Sequence, residues 1–180
     1  MSEDDSVVET DQCCKVCGKD DDDANMVLCD LCDLGYHIYC HTPKLTMADI
    51  PEGDLPWYCA ACTKMQSRLT EVVWARVNAK KDDWWPCFIY NPQELPEYLQ
   101  DKAFKNIALN KFSIYYYSAN NYGFVPNNSL NLKSWQEGVD ENLMTAKLLT
   151  KNKKEQQQWK EAVELAATEF LLPGDQRVKW

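Results

Sequence analysis

The sequence predicts an α+β chain in two parts: a small metal-held module over about the first sixty residues, then a small β-barrel with C-terminal helices. Three observations lead there. Eight of the nine cysteines fall between Cys13 and Cys62. The stretch after Thr70 breaks into short segments rich in β-branched and aromatic residues, and beyond Gly138 the apolar residues recur at helical spacing.

Bulk properties set the frame for both parts. Hydrophobic residues make up 45% and aromatics 12% of the 180 residues, which is ample for packed cores and excludes wholesale disorder. No run of ~20 apolar residues is present to span a bilayer, and the acidic opening MSEDDSVVETDQ lacks the positive start and apolar centre of a secretory signal, so a soluble, intracellular chain is expected. The net charge of −9 hides a split. Residues 1–62 carry 14 Asp/Glu against 3 Lys, a net of −11, whereas residues 63–180 come to +2. Surfaces of different sign imply different partners.

In the first part the ligand types run C-x2-C-x11-C-x2-C-x4-H-x2-C-x18-C-x2-C, through Cys14, Cys17, Cys29, Cys32, His37, Cys40, Cys59 and Cys62. Each C-x2-C knuckle supplies half a tetrahedron, so eight ligands make two zinc sites, closed either sequentially or in an interleaved way. Four protein ligands leave no open position, which makes the zinc structural and catalysis at the metal unexpected. A segment this short cannot bury enough apolar surface to fold alone, and metal ligation worth ~10–16 kcal/mol supplies the deficit. Cys13 and His41 sit beside ligands as bystanders.

This order of four Cys, one His and three Cys resembles the plant homeodomain (PHD) finger, as do Trp57 two residues before Cys59 and the turn in PEGDLPWYC. The resemblance implies a cross-brace, with Cys14, Cys17, His37 and Cys40 on one zinc and Cys29, Cys32, Cys59 and Cys62 on the other. A RING-type cross-brace, which would make a ubiquitin ligase, fits less well, because RINGs carry the His fourth or narrow the second Cys pair. The resemblance further implies that the histone H3 N-terminus adds as a strand along Met26, Val27 and Leu28. Asp20, Asp21, Asp22 and Asp23 would face the tail's fourth-position lysine and Asp33 its second-position arginine, with Pro51, Gly53 and Trp57 near its amino end. Readers of trimethyl-lysine hold the quaternary ammonium in an aromatic cage. Gly35 stands where their cage tryptophan belongs, and the segment Gly18–Leu28 has no Tyr or Trp. An unmethylated ammonium offers three donors that carboxylates satisfy, so the unmodified tail is expected.

The second part begins with EVVWARV at Glu71–Val77, continues through DDWWPCFIY, and adds KFSIYYY and YGFVP as further strands. Trp159, Val163, Ala166 and Phe170 then follow at helical spacing. VVWARV followed by W-W-P resembles the PWWP domain, with Asp83 in place of its first proline. That resemblance implies a methyl-lysine pocket of the kind that takes lysine thirty-six of histone H3, with Trp85 and Tyr116 as walls and Val77 at the base. Asp82 occupies the third wall's position, so Trp84 or Tyr122 must swing in, or the pocket is crippled. As purely structural residues, Trp85 and Tyr116 would simply belong to the core. Trp74 and Trp84 are expected in the core, and Cys87 is expected as a small buried hydrophobe. Nucleosomal DNA would meet Lys80, Lys81, Lys147, Lys151, Lys153 and Lys154 in weak, sequence-independent contacts.

The organisation expected is an acidic disordered N-terminus over 1–12, a finger over 13–64, a short linker over 65–70, a barrel domain over 71–172 and a tail over 173–180. The function expected is a nuclear chromatin reader that belongs to a larger complex, has no catalytic residue and needs two structural zinc ions; the competing function is a scaffold for non-histone proteins.

Overall fold

In the computed structural model, which describes residues 13–78, 83–145 and 152–177, the chain divides into two units, Met1–Ala60 and Ala61–Trp180. The acidic start, Lys80, Lys81, Asp82, Lys147 and Lys151 lie outside the described residues.

The first unit has little regular structure. Strand β1 (Met26–Leu28) pairs antiparallel with β2 (Gly35–His37), Val27 opposite Tyr36. The far side of β2 is taken by a bridge from Cys14 to Gly35 and by the Lys15 N–H donating to the Gly35 carbonyl at 2.9 Å. Among the described residues no strand covers the outer edge of β1. The two knuckles share one geometry: the Gly18 N–H donates to the Cys14 carbonyl at 2.8 Å, and the Asp33 N–H donates to the Cys29 carbonyl at 2.9 Å. Both residues following the second cysteine are left-handed, Gly18 at φ 72° and Asp33 at φ 55°. A small aromatic core of Tyr36, His41 and Trp57 meets edge to face with ring centroids 5.6–6.0 Å apart. Helix α1 (Ala60–Gln66) follows Cys59, starts on the last residue of this unit and buries Cys62 and Met65.

The second unit is an antiparallel sheet in the order β6-β5-β4-β3-β7. Its strands are β3 (Val72–Asn78), β4 (Asp83–Ile89), β5 (Lys111–Tyr116), β6 (Asn121–Pro126) and β7 (Leu132–Ser134). Among the described residues no pairing joins β6 to β7, so the expected barrel is open on that side. Every position of β4 is buried, which explains why WWPCFI shows no alternation: both faces of this central strand are covered. Pairing to β5 starts at Cys87, so Pro86, which has no N–H to give, sits where that ladder stops.

Helix α2 (Glu97–Ile107) returns the chain from β4 to β5 and buries Ala103 and Ile107. Helix α3 (Trp135–Asp140) opens on a capping box: the Glu137 N–H donates to Ser134 Oγ at 3.2 Å, and the Ser134 N–H to the Glu137 carboxylate at 2.7 Å. Helix α4 (Lys153–Phe170) is capped by the Asn152 side chain and buries Trp159, Val163 and Ala166, the stripe read from the sequence. The Trp159 indole N–H donates to the Trp84 carbonyl at 2.8 Å, fixing α4 to β4. Phe170, the last member of the stripe, is 38% exposed and stacks on Trp135 with centroids 5.9 Å apart. Trp135 in turn stacks on Trp74 at 4.9 Å. Gly138 makes that possible, because a Cβ there would fall on the Trp74 indole. Arg177 closes the end of α4, donating to the carbonyls of Glu169 and Phe170 and to that of Thr70 ahead of β3.

Candidate functional site

Two tetrads form, Cys14/Cys17/His37/Cys40, in which Cys14 and His37 are buried and Cys17 is exposed, and Cys29/Cys32/Cys59/Cys62, buried throughout, each with its ligand atoms within 4.8 Å of one another. Zinc–sulfur bonds of ~2.3 Å and zinc–nitrogen bonds of ~2.0 Å at tetrahedral angles put sulfurs about 3.8 Å apart and sulfur to nitrogen about 3.5 Å. Cys32 and Cys59 sulfurs stand 3.9 Å apart, and His37 Nδ1 stands 3.4 Å from Cys17 Sγ and 3.9 Å from Cys40 Sγ. The cages fit zinc, and the pairing is interleaved, first knuckle with the His37–Cys40 pair and second with the last.

With Nδ1 turned to the metal position, His37 Nε2 faces the Asp21 carbonyl at 2.5 Å. That hydrogen bond, made by the ring nitrogen turned away from the metal position, fixes both the ring and the start of the acidic loop. Burial pushes the Cys14 thiol up, but N–H donors of His37, Cys17 and Val16 outweigh it and pull the thiol down to about 6, toward the thiolate a metal needs. His41, a bystander to the metal, is nonetheless built in: Nδ1 lies 2.9 Å from the Pro43 carbonyl, and Nε2 accepts from the Ala60 N–H at 3.2 Å. Asp30 ties the second knuckle to Trp57, accepting its N–H at 2.7 Å while the Asp30 N–H donates to the Trp57 carbonyl. Cys13 is exposed.

The expected tail-binding residues divide by exposure. Flanking bonds from the Ile38 N–H to the Asn25 carbonyl and from the Cys29 N–H to the Leu34 carbonyl set the ladder's alternation, which turns Val27 toward Tyr36 and Met26 and Leu28 outward. The Met26 N–H is taken by the Asp23 carbonyl, which leaves the Met26 carbonyl and both main-chain groups of Leu28 along the open edge. Asp20 to Asp23 are all exposed beside it. Asp22 is left-handed at φ 62° and accepts from the Asn25 side chain at 2.9 Å, so the loop is shaped rather than merely solvated. Asp33, Pro51 and Gly53 are exposed, whereas Trp57 is buried in the core. Gly35 is buried within β2. An aromatic does stand near the aspartates: Tyr39 is 44% exposed, stacks on the His37 ring at 5.0 Å, and has its hydroxyl pushed up to about 12 by burial and then by Asp22 and Asp21.

In the second unit Val77 is 45% exposed at a register shift between Arg76 and Asn78, a bulge that re-aims the strand. Trp85 is buried, and its indole N–H donates to the Tyr117 carbonyl at 2.9 Å. Tyr116 is half-buried at the edge of the cluster that holds Trp85. Its ring lies over Gly123, where a Cβ would come within 2.8 Å of Cε2. Neither candidate third wall is available as one. Tyr122 packs edge-on to Tyr90 and Tyr115 at 5.3 and 5.2 Å, too close for a ligand to enter between them, and Trp84 is buried with Lys133 Nζ 4.7 Å from its ring centre.

A family model described as PHD-finger matches residues 14–62, and one described as PWWP domain matches residues 70–171. The chain belongs to the PWWP family and carries a PHD finger ahead of that domain. Over 53 residues it is 55% identical to bromodomain adjacent to zinc finger domain protein 2A of Mus musculus, and over 69 residues 42% identical to protein 2B of the same name and organism. Those matches cover 29% and 38% of this chain but 3% of each relative, so the chain spans a small part of their length. Among solved structures, the second PWWP domain of WHSC1L1 protein is 25% identical, with 56% of this chain and 79% of that one covered and a TM-score of 0.37.

Of the lysines read as DNA contacts on the PWWP domain, Lys153 and Lys154 are described. Both are exposed in the first turn of α4, where the Asn152 side chain accepts from the Lys154 N–H at 3.0 Å. The sequence reading missed three residues that shape the PHD finger: Asp30, Tyr39 and the hydrogen-bonding role of His41. Tyr39 was legible, as the aromatic between two ligands in HIYC.

Proposed function

We propose that this chain is a nuclear chromatin reader that binds rather than catalyses, with the PHD finger gripping the histone H3 N-terminus and the PWWP domain meeting methyl-lysine and nucleosomal DNA. The PHD–PWWP pair and the zinc-finger relatives support the coarser reading, a chromatin-binding module. One observation carries the finer one: the uncovered edge of β1 runs beside four exposed aspartates. A peptide strand added there gains main-chain hydrogen bonds, and its fourth-position lysine brings an ammonium to Asp20–Asp23. Methylation removes N–H donors one by one, so the unmodified tail is the preferred form.

Calorimetric titration of the zinc-loaded chain tests this. The unmodified H3 peptide should bind at least about tenfold tighter than the fourth-position trimethylated one, since charge-assisted bonds are worth ~1.5–3 kcal/mol each. Tighter binding of the trimethylated peptide sinks the reading.

A specific observation favours a second reading for the PWWP half. The Trp85 indole is 6% exposed and its N–H is committed to Tyr117, while Tyr122 and Trp84 are packed elsewhere, so a complete aromatic cage is not formed by these residues. In that reading the PWWP domain serves as a scaffold for non-histone protein. Peptides trimethylated at lysine thirty-six separate the two: binding lost in Tyr116→Ala supports the pocket, and no binding supports the scaffold.

A further inference from the structure

The PWWP domain has a second concave surface, between α2 and β6, which shares only Tyr122 with the residues read as candidate walls of its methyl-lysine pocket. Helix α2 presents Tyr98, Lys102 and Asn106 at i, i+4 and i+8, hence on one face, with Ala103 and Ile107 turned into the core. Facing that stripe, alternate residues Tyr122 and Phe124 of β6 line the other wall of a groove of about 660 Å³. Lys111, at the start of β5, lines it as well, and among the described lining residues there is no carboxylate. In a chain of net charge −9, such a local field selects an anion.

The groove is also furnished for flat, amide-bearing partners. Tyr98 is 81% exposed, a large ring in water with nothing stacked on it among the described residues. Lys102 Nζ lies 5.4 Å from the Phe124 ring centre, which places the ammonium at the groove wall. The Tyr115 hydroxyl donates to Asn120 Oδ1 at 2.8 Å and so orients that amide, whose NH2 carries two donors. Tyr122 is fixed from behind by Tyr90 and Tyr115.

We propose that this groove binds single-stranded nucleic acid, with Tyr98 stacking on a base, Lys102 and Lys111 on phosphates, and the Asn106 and Asn120 amides at base edges. Exposed rings interleaved with cations and amides match that ligand, because unpaired bases offer both π faces and hydrogen-bonding edges. A duplex keeps its base faces stacked and would leave Tyr98 idle. An acidic peptide would engage the lysines alone. The inference does not depend on what the PHD finger or the methyl-lysine pocket reads.

The test is fluorescence anisotropy with the full zinc-loaded chain and three probes: a mixed-sequence single-stranded 12-mer, the matching duplex, and a polyglutamate peptide. The single strand should bind tightest. Tyr98→Ala should weaken it at least about fivefold, the low end of a lost base stack. Tyr98→Phe, which keeps the ring, should bind as the parent does, and Lys102→Gln should reduce the slope of log K against log salt by roughly 0.7. Unchanged melting temperatures would tie these losses to the surface. No binding of the single strand, equal binding by the Ala variant, equal loss in the Phe variant, or tighter binding of duplex or polyglutamate each overturns the proposal.

Discussion

The PHD finger and the PWWP domain build their interiors from different materials. In the finger, five of the buried residues are ligand cysteines, Cys14, Cys29, Cys32, Cys59 and Cys62, and the apolar remainder is chiefly Leu31, Tyr36, Ile38 and Trp57. In the PWWP domain Trp74, Trp84, Trp135, Trp159 and Tyr117 fill the interior, the Trp74 and Trp159 indoles donating to the carbonyls of Trp135 and Trp84 and the Tyr117 hydroxyl to Glu169 at 2.9 Å. A fold held by metal can spend few residues on a core and leave its loops acidic and left-handed, as at Asp22 and Asp33. A fold held by aromatic packing has the opposite constraint. Its rings are already occupied, so an aromatic aligned with a binding wall, such as Trp85, is drawn into the interior.

The largest expected effect separates the two materials. Chelating zinc removes the ~10–16 kcal/mol that metal ligation supplies to a small finger, so residues 14–58 should unfold while the PWWP sheet stays folded. Amide spectra recorded before and after chelator addition check it. Collapse of both sets of signals would show that the second core also needs the metal.

Next in size is a change to the aromatic interior. Gly138 lies inside α3, where alanine is favoured by ~1 kcal/mol on helix propensity alone. A Cβ there would overlap the Trp74 Nε1 and Cδ1 positions and come within 2.8 Å of Cε2, so both stacked indoles would have to move. Overpacking should win, and Gly138→Ala should cost roughly 3 kcal/mol of PWWP stability in urea titration while leaving the finger's zinc affinity unchanged. A smaller local effect is expected at α4: Asn152→Ala removes the acceptor for the Lys154 and Glu155 N–H groups and should cost about 1 kcal/mol in the same titration.

What the sequence made legible follows the same divide. Ligand spacing is a covalent, local signal, and all eight ligands come together as two tetrads. Strands β3 to β6 were legible from their β-branched and aromatic runs, and the α4 stripe from its spacing. Helix α2 was not expected, although Pro96 before it and Leu99, Ala103 and Ile107 at four-residue steps are helix signals; its eleven residues are mostly polar and charged, so the apolar stripe is thin. Strand β7 has three residues and no periodicity to read, and it exists because β3 offers an edge to pair with. The methyl-lysine pocket expected from the resemblance was the least legible part of the candidate site. Whether Trp85 and Tyr116 are walls or core depends on exposure, which a single sequence does not carry, and the chain's Asp82 removes the one aromatic that would have marked the site.

Asp33 gives the smallest stability effect and the sharpest test of the finger. Two demands meet at this residue. Its backbone is left-handed at φ 55°, in the same position of its knuckle as Gly18, and its exposed carboxylate is read as the partner of the tail's second-position arginine. Glycine satisfies the first demand and not the second. Asp33→Gly should therefore hold stability within about 0.5 kcal/mol, since a left-handed site tolerates glycine well. H3 peptide affinity should nevertheless fall by about tenfold, the worth of a lost charge-assisted hydrogen bond. Asp33→Ala separates the demands from the other side, because it loses the carboxylate and also strains the knuckle, and it should cost both affinity and stability. If Asp33→Gly binds the peptide as the parent does, the aspartate is there for its backbone alone, and recognition of the tail's arginine must be sought elsewhere along the β1 edge.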